Sequence, residues 1–208
     1  MRGIGTRTCL FPWKGCQRSF ELKQAPVLCI QVDEDLQLRP HEMRYAAMLF
    51  ALTERNKEHI SVWQAWASET SLESNKAFVK QALHGFAEGR SLEMGIWQRD
   101  QLVGAIGLHN IDEVDSKAEI GYWLDASMQG KGIVTRACRV MISYAFTHYG
   151  LHRVEIHCAA SNQRSRAVPE RLGFTQDGIM RQSQLLNGQY VDMVIYSMLV
   201  DEWQSQER

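Results

Sequence analysis

The strongest pattern of hydrophobic and polar positions lies between Ala118 and Gly150. A strand-like run from Ala118 to Leu124 is followed by the loop Gln129-Gly130-Lys131-Gly132, and then by apolar residues at the i, i+3, i+4, i+7 spacing of one helical face. That face comprises Val134, Ala137, Cys138, Met141, Ile142, Ala145 and Phe146. Gly150 is predicted to end the helix, because glycine readily adopts the left-handed conformation that closes a last helical turn.

The N-terminal half predicts one strand followed by three helical regions. An alternation from Leu28 to Leu38 indicates the strand, and Arg39-Pro40 is predicted to begin a helix, because proline suits a first helical turn. A second helical region contains Trp63 and Trp66, and a third covers roughly Leu72 to Phe86. The two tryptophans lie three residues apart, so we expect them to share one helical face, either in the core or along a substrate cleft.

The C-terminal half predicts further strands and one more helix. The strands cover Leu92 to Gln98, Leu102 to His109, Arg153 to Cys158, Ile179 to Leu185 and Tyr190 to Val200. Arg99-Asp100 and Asn187-Gly188 indicate tight hairpin turns, and a helix is predicted from about Asn162 to Leu172. Early helices, a meander of strands and then alternating strand and helix predict a mixed-sheet α/β protein.

Length and composition set the broad class. The chain has 208 residues, of which 45% are hydrophobic, so it can bury the core of one domain. No apolar run approaches the length of a membrane span or a signal-peptide core, and we expect a soluble, cytoplasmic protein. The five cysteines lack a C-x-x-C pair and the seven histidines lack ligand spacing, so neither a disulfide framework nor a metal site is expected.

Charge is distributed unevenly. The formal net charge is −1, yet residues 1 to 23 hold five basic residues against the single Glu21, which leaves an acidic remainder. An acidic body argues against nucleic acid as a partner, because phosphate neutralisation needs a basic face. Residues 1–25 have no clear periodicity and are predicted to be a poorly ordered extension, with the domain at residues 26–208.

The loop before the central helix has the features of a phosphate site. Gly130 and Gly132 carry no side chains, so their backbone N–H groups can approach an anion, and the helix dipole favours negative charge there. A Walker A loop needs Ser or Thr after Gly-Lys, and a Rossmann loop needs a third glycine; both are missing. A pyrophosphate-bearing cofactor is predicted, and the alternative is a tight turn without a ligand.

Gln129, Gly132 and Val134 resemble the acetyl-coenzyme A loop of the GNAT acetyltransferase superfamily, although the last position is usually Gly or Ala. Four other segments resemble the ribosomal-protein N-acetyltransferases of the RimJ/RimL type. They are Ile120 to Leu124, Asn162 to Ser165, Leu172 to Phe174 and Gly188 to Asp192. The resemblance spans roughly Leu36 to Leu199.

The resemblance implies the GNAT fold, whose central, mostly antiparallel sheet is flanked by helices and splayed between two strands, here Ala118 to Leu124 and Arg153 to Cys158. It implies acetyl-CoA as cosubstrate. The cofactor's phosphates are expected at the backbone of Gln129, Gly130, Lys131, Gly132, Ile133, Val134 and Thr135. The pantetheine arm is expected at Tyr122, Trp123, Leu124 and the side chain of Asn162, although Asn162 is equally suited to cap the following helix.

The resemblance also implies catalytic roles. Ser165 corresponds to the group that protonates the departing thiolate. Relatives of the RimL type have a glutamate as the proposed base, where this chain has Gln184, and an amide does not accept a proton at neutral pH. Glu119 is the substitute base, acting through water, unless it is an exposed strand residue paired with Arg or Lys. His109, on the neighbouring predicted strand, is a third candidate.

Two other residues raise alternatives. Cys158 could be considered as a nucleophile, but no motif positions a histidine to activate it, and direct attack by the amine is usual in the family. Pro169 cannot donate a hydrogen bond to the carbonyl of Ser165, so the helix is predicted either to begin late or to kink.

The resulting function is an acetyl-CoA-dependent N-acetyltransferase that acts on an amine, the N-terminal α-amine of a protein such as a ribosomal protein. The alternatives are a small-molecule amine or antibiotic acetyltransferase and a non-catalytic coenzyme A-binding module. The sequence leaves open the acceptor, the choice between monomer and homodimer, and the role of residues 1–25.

Overall fold

Eight strands form one mixed sheet within residues 28–206, which are the residues described by this computed structural model. The extension predicted at residues 1–25 lies outside them. The strands are Ile30–Gln31 (β1), Leu36–Pro40 (β2), Leu92–Gln98 (β3), Gln101–Asp112 (β4), Lys117–Leu124 (β5), Arg153–Ala159 (β6), Thr175–Leu186 (β7) and Gln189–Leu199 (β8). Their order is β1-β2-β3-β4-β5-β6-β8-β7, and every neighbouring pair is antiparallel except β5 and β6.

Helices cover both faces of this sheet. They are Ala46–Arg55 (α1), Lys57–Ser61 (α2), Leu72–Ala87 (α3), Ile133–His148 (α4), Gln163–Arg171 (α5) and Val200–Gln206 (α6). The buried face of α4 packs in the main core with alternate residues of the central strands, together with α5 and Trp203 of α6. On the opposite face, α1 and α3 form a smaller cluster with Trp97 and Leu102. No helix among these residues is long and apolar enough to cross a membrane.

The mixed α/β prediction is confirmed, but the first predicted strand is wrong. The side chain of Asp33 accepts the backbone N–H groups of Asp35 (3.0 Å) and Leu36 (3.1 Å), which turns the chain back on itself. One alternation therefore becomes the two strands β1 and β2. Pro40 ends β2 and does not begin a helix. Its missing N–H is tolerated because β1 pairs with β2 only as far as Leu38.

The two tryptophans do not share a helical face. Helix α2 ends at Ser61, and Trp66 lies in a separate 3₁₀ turn, Ala65–Glu69. Trp63 packs against a small cluster that includes Met193, whereas Trp66 is half exposed and meets Trp123 edge to face, with ring centroids 6.2 Å apart.

The central helix ends where Gly150 predicts, since Tyr149 is its C-cap and Gly150 has a φ of 63°. At its N-terminal end Ile133 is buried, and Val134, predicted for that face, is only half buried. The remaining six residues of the predicted apolar face are buried.

The splay predicted between two central strands is confirmed. β5 and β6 run parallel and pair only over Lys117–Glu119 and Arg153–Glu155. From Ile120 onward β5 pairs with β4 alone, and from Ile156 onward β6 pairs with β8 alone, so a gap opens between β5 and β6. Backbone groups of Ile120 to Leu124 that face this gap are free to bind an extended ligand.

Candidate active site

The loop before α4 forms an open cradle of backbone N–H groups. Gly130 (φ 73°) and Gly132 (φ 69°) are left-handed, and a Cβ on either would meet no heavy atom of the described residues within 4 Å. Gly132 is the N-cap of α4, so the first-turn N–H groups have no acceptor within the helix. Within residues 28–206, the N–H groups of Gly130, Lys131 and Gly132 also have no hydrogen-bond acceptor. The cradle therefore fits the diphosphate predicted from the sequence.

The side chain of Gln129 ties this loop to two helices. Its amide nitrogen lies 2.6 Å from His59 Nε2 in α2, and its amide oxygen accepts a hydrogen bond from Arg164 of α5 at 2.7 Å. Arg164 thus brings an exposed guanidinium beside the phosphate cradle. Sequence reasoning missed Arg164 and His59, because neither is near the loop in the chain.

Ser165 lies where β5, β6 and α5 meet. Asn162 caps α5 by accepting the backbone N–H of Ser165 at 3.2 Å, so the capping alternative for Asn162 is confirmed. The Ser165 hydroxyl is 3.2 Å from the thiol of Cys158 and 3.3 Å from the hydroxyl of Tyr122. A hydroxyl held by two other proton-bearing groups next to the splay is well placed to donate a proton.

Tyr122 also supplies the hydrogen bond that Pro169 cannot donate to the carbonyl of Ser165. Helix α5 runs from Gln163 to Arg171 with Pro169 inside it, so it does not begin late. The carbonyl of Ser165, which Pro169 cannot bond, accepts the hydroxyl of Tyr122 at 3.0 Å. Burial raises the pKa of Tyr122 well above its ordinary value, which keeps this hydroxyl protonated as a donor.

Cys158 is unsuited to nucleophilic attack. Its thiol is buried, and burial raises its pKa, although hydrogen bonds to Ser165 and Tyr122 act in the opposite direction. The reactive thiolate is therefore disfavoured. This agrees with direct transfer of the acetyl group to the amine.

The face of the sheet opposite α4 carries a row of ionisable side chains. His109 Nδ1 lies 2.7 Å from Glu93 Oε1, and His109 is the residue paired with Glu119 across β4 and β5. Further along, His157 Nδ1 lies 3.7 Å from Glu119 Oε1, and His157 Nε2 lies 2.8 Å from Glu155 Oε2. The alternative that Glu119 pairs with Arg or Lys is wrong, because its ionisable partner among the described residues is the imidazole of His157.

A cavity of about 310 Å³ opens on this same face, between the sheet and helices α1 and α3. Trp66, Phe78 and Trp123 supply aromatic walls, while Glu93 and His109 supply ionisable groups. The cavity also reaches Gly121, Tyr122 and Ile106. It therefore meets β5 beside the splay, from the side opposite the phosphate cradle.

Glu93 was not identified from the sequence as a site residue, although the glycines on the two neighbouring strands indicate that space is left beside it. Glu93 is paired with Gly107, and Gly107 is paired with Gly121, so two glycines adjoin the carboxylate across the sheet. A Cβ on Gly107 would lie 2.2 Å from Glu93 Oε2, and one on Gly121 would lie 2.6 Å from His109 Nε2. These glycines make room for the two ionisable side chains. Gln184 lies on β7, opposite Val191 and just beyond a bulge.

Comparison with known proteins agrees with this arrangement. A family model described as an acetyltransferase (GNAT) domain matches residues 35–175. The chain is 37% identical to the putative ribosomal N-acetyltransferase YdaF of Bacillus subtilis, over 85% of this chain and 98% of that protein. It is 31% identical to the ribosomal-protein-serine acetyltransferase of Escherichia coli, over 83% of this chain and 97% of the relative.

A solved structure extends the comparison to the cofactor. The RimL ribosomal L7/L12 alpha-N-protein acetyltransferase, in complex with coenzyme A disulfide-bonded to one of its cysteines, superposes with a TM-score of 0.81 at 29% identity. The match covers 84% of this chain and 99% of that one. The cosubstrate of this chain is acetyl-CoA. With its splayed sheet and phosphate cradle, this chain belongs to the GNAT acetyltransferase family.

Proposed function

We propose that this enzyme transfers an acetyl group from acetyl-CoA directly to the α-amine at the N-terminus of a protein, and that its acceptors are ribosomal proteins. The observation that carries the proposal is the cavity beside the splay, which offers an amine a route to β5 from the side opposite the phosphate cradle. The acceptor class rests on the relatives named as ribosomal-protein acetyltransferases. Such acceptors imply a cytoplasmic enzyme.

Each predicted site residue has a role in this proposal. The backbone from Gln129 to Thr135 binds the phosphates of acetyl-CoA, with the Arg164 guanidinium beside it. The backbone of Tyr122 to Leu124 contacts the pantetheine arm, and Asn162, whose side-chain oxygen caps α5, contacts the arm through its amide nitrogen. Ser165 protonates the departing thiolate. The row of ionisable residues that includes Glu119 receives the proton that the amine loses.

An α-amine acceptor suits a chain that has Gln184 where relatives have a carboxylate. The α-amine has an ordinary pKa of about 7.7 to 8.0 and the lysine side chain about 10.4. At pH 7.5 roughly a third of the α-amine is neutral, against about a thousandth of the lysine. A weak base is therefore sufficient for an α-amine and insufficient for a lysine side chain.

The test is a competition between acceptor classes. We expect a peptide beginning with Ser or Ala to be acetylated faster than the same peptide with its α-amine blocked and one lysine added. Spermidine and an aminoglycoside test the small-molecule alternative, and release of coenzyme A with any acceptor excludes a non-catalytic binding module. Faster acetylation of the lysine peptide, or of spermidine, contradicts the α-amine assignment.

A further inference from the structure

Glu93 and His109 form a close pair on the wall of the cavity, outside the set of residues predicted to bind acetyl-CoA. Glu93 Oε1 lies 2.7 Å from His109 Nδ1, and the two side chains are 11% and 39% exposed, respectively. The nearly buried Glu93 carboxylate accepts a hydrogen bond from the Nδ1–H of His109, and this fixes both the orientation and the tautomer of the ring. In the neutral imidazole, the lone pair is then on Nε2.

That lone pair lies beside the strand at which acetyl transfer is proposed. A Cβ built on Gly121 would be 2.6 Å from His109 Nε2, so the ring lies directly against the backbone of β5. The next two residues, Tyr122 and Trp123, line the same cavity. An amine that enters the cavity and approaches β5 therefore passes His109 Nε2.

Charged groups on two neighbouring strands act on this imidazole. Burial lowers the pKa of His109, but the hydrogen bond to Glu93 on β3 and the charges of Glu93 and Glu119 outweigh it and raise the pKa above its ordinary value. Of the cavity-lining residues described, Glu93 and His109 are the ones with a carboxylate or an imidazole side chain. Glu119 does not line the cavity and lies 3.7 Å from His157.

We propose that His109 takes the proton from the acceptor amine and that Glu93 is the positioning residue that holds it. This inference rests on the proposed acetylation of an amine, and it makes Glu119 a supporting charge and not the first proton acceptor. The amine nitrogen forms a bond to the acetyl carbon while the carbon–sulfur bond breaks and its electron pair stays on sulfur. Before this bond forms, His109 Nε2 takes one proton from the protonated amine and later gives it to water. The second proton that nitrogen loses passes through water to Ser165, which has given its own proton to sulfur.

The kinetic test compares variants across the pH range from 6 to 9.5 on a Ser-initiated peptide. We expect His109→Gln to lower kcat/KM about 10²-fold at pH 7, with a smaller loss near pH 9, where the amine arrives neutral. Glu93→Gln is expected to move the acidic limb of the profile to lower pH, because the imidazole loses the carboxylate that raises its pKa. Glu119→Gln is expected to move the acidic limb to lower pH as well, but by a smaller amount, because Glu119 acts on the imidazole only through its charge.

The matched control is His84→Gln. His84 also pairs with a glutamate, since its Nδ1 lies 3.1 Å from Glu88 Oε2, but this pair is on the exposed side of α3. Its profile should equal that of the wild type. The assignment is overturned if His109→Gln keeps the wild-type profile, if its loss is independent of pH, or if Glu119→Gln alone abolishes the acidic limb.

A second measurement is independent of the acceptor. Nitrogen-15 NMR of the full-length enzyme should find neutral His109 protonated on Nδ1, and Glu93→Gln should lower its pKa. An Nε2-protonated ring, or a pKa unchanged by Glu93→Gln, contradicts the proposal even if the variants fold and bind acetyl-CoA. If the wild type acetylates spermidine and not peptides, the proposed acceptor fails, and the same kinetic comparison on spermidine still decides the role of His109.

Discussion

Ser165 illustrates how neighbouring side chains define the chemistry of one residue. Its hydroxyl is 3.2 Å from a thiol whose pKa is raised by burial and 3.3 Å from a phenol whose pKa is raised by burial. Neither neighbour readily supplies a negative charge, so the cluster keeps its protons near neutral pH. A thiolate that forms beside Ser165 is then the strongest proton acceptor in the cluster.

Ser165→Ala should lower kcat about 10- to 10³-fold and leave acetyl-CoA binding nearly unchanged. The loss is at the lower end of general-acid effects, because a thiol with an ordinary pKa of about 8.5 is a fair leaving group without help. Single-turnover rates and a binding titration with acetyl-CoA separate the two quantities. Equal losses in binding and in rate would make Ser165 a positioning residue.

Among the elements, α4 has a left-handed glycine at each end, and only the one at its start belongs to the proposed phosphate site. Both ends of the helix use left-handed glycines, Gly132 at the start and Gly150 after the end, and a Cβ added at either position would have no heavy atom of the described residues within 4 Å. The same substitution at the two ends therefore imposes similar backbone strain. Only the first position faces the proposed phosphate site.

Acetyl-CoA should stabilise the wild type against thermal unfolding by about 2.7 kcal/mol at a hundredfold excess over Kd. Gly132→Val should remove most of this stabilisation, because its side chain fills the cradle. Gly150→Val is the matched control, and it should keep the full effect. Both variants should lose about 1 to 2 kcal/mol of stability without ligand, because a left-handed conformation is unfavourable for valine. If acetyl-CoA stabilised Gly132→Val as much as the wild type, the phosphates of the cofactor would have to bind at another place.

In the whole molecule, the sheet separates two environments. One face packs against α4 and holds the apolar core, and the other carries the row from Glu93 to Glu155 and the cavity. His41 lies beside this cavity and is only 3% exposed. The centroid of its ring is 5.3 Å from that of Phe78, and its Nε2 has no hydrogen-bond partner among the described residues. Burial lowers its pKa from 6.5 to about 4, although Glu93 acts in the opposite direction.

Acid should therefore destabilise the protein in part through His41. Between pH 6.5 and about 4 the unfolded chain binds a proton at His41 that the folded protein does not, so stability is present above this window and falls as pH falls through it. The full shift corresponds to about 3 kcal/mol. Urea unfolding at pH 7 and pH 4.5 should show a smaller loss in His41→Leu than in the wild type. The contribution of His109 to the pH dependence is present in both proteins, so it cancels in the comparison. Equal losses of unfolding free energy in the two proteins would exclude His41 as a cause.

The sequence by itself determined the features that depend on neighbouring residues in the chain. Helical periodicity predicted α4, the glycines predicted its loop and its end, and the hairpin turns at Arg99-Asp100 and Asn187-Gly188 were placed correctly. These signals act within a few residues, because they arise from backbone conformation and from side-chain spacing along one element. The order of such elements, with the resemblance, was enough to predict the fold and acetyl-CoA as the cosubstrate.

Only the tertiary structure decided which distant groups meet. The hydroxyl of Tyr122 reaches the Ser165 carbonyl across 43 residues of sequence, and this contact allows Pro169 inside a helix. Glu93 and His109 become a pair through the register of β3 and β4, and the two adjoining glycines leave the space that they occupy. Such contacts depend on strand register and packing, which a local pattern does not encode.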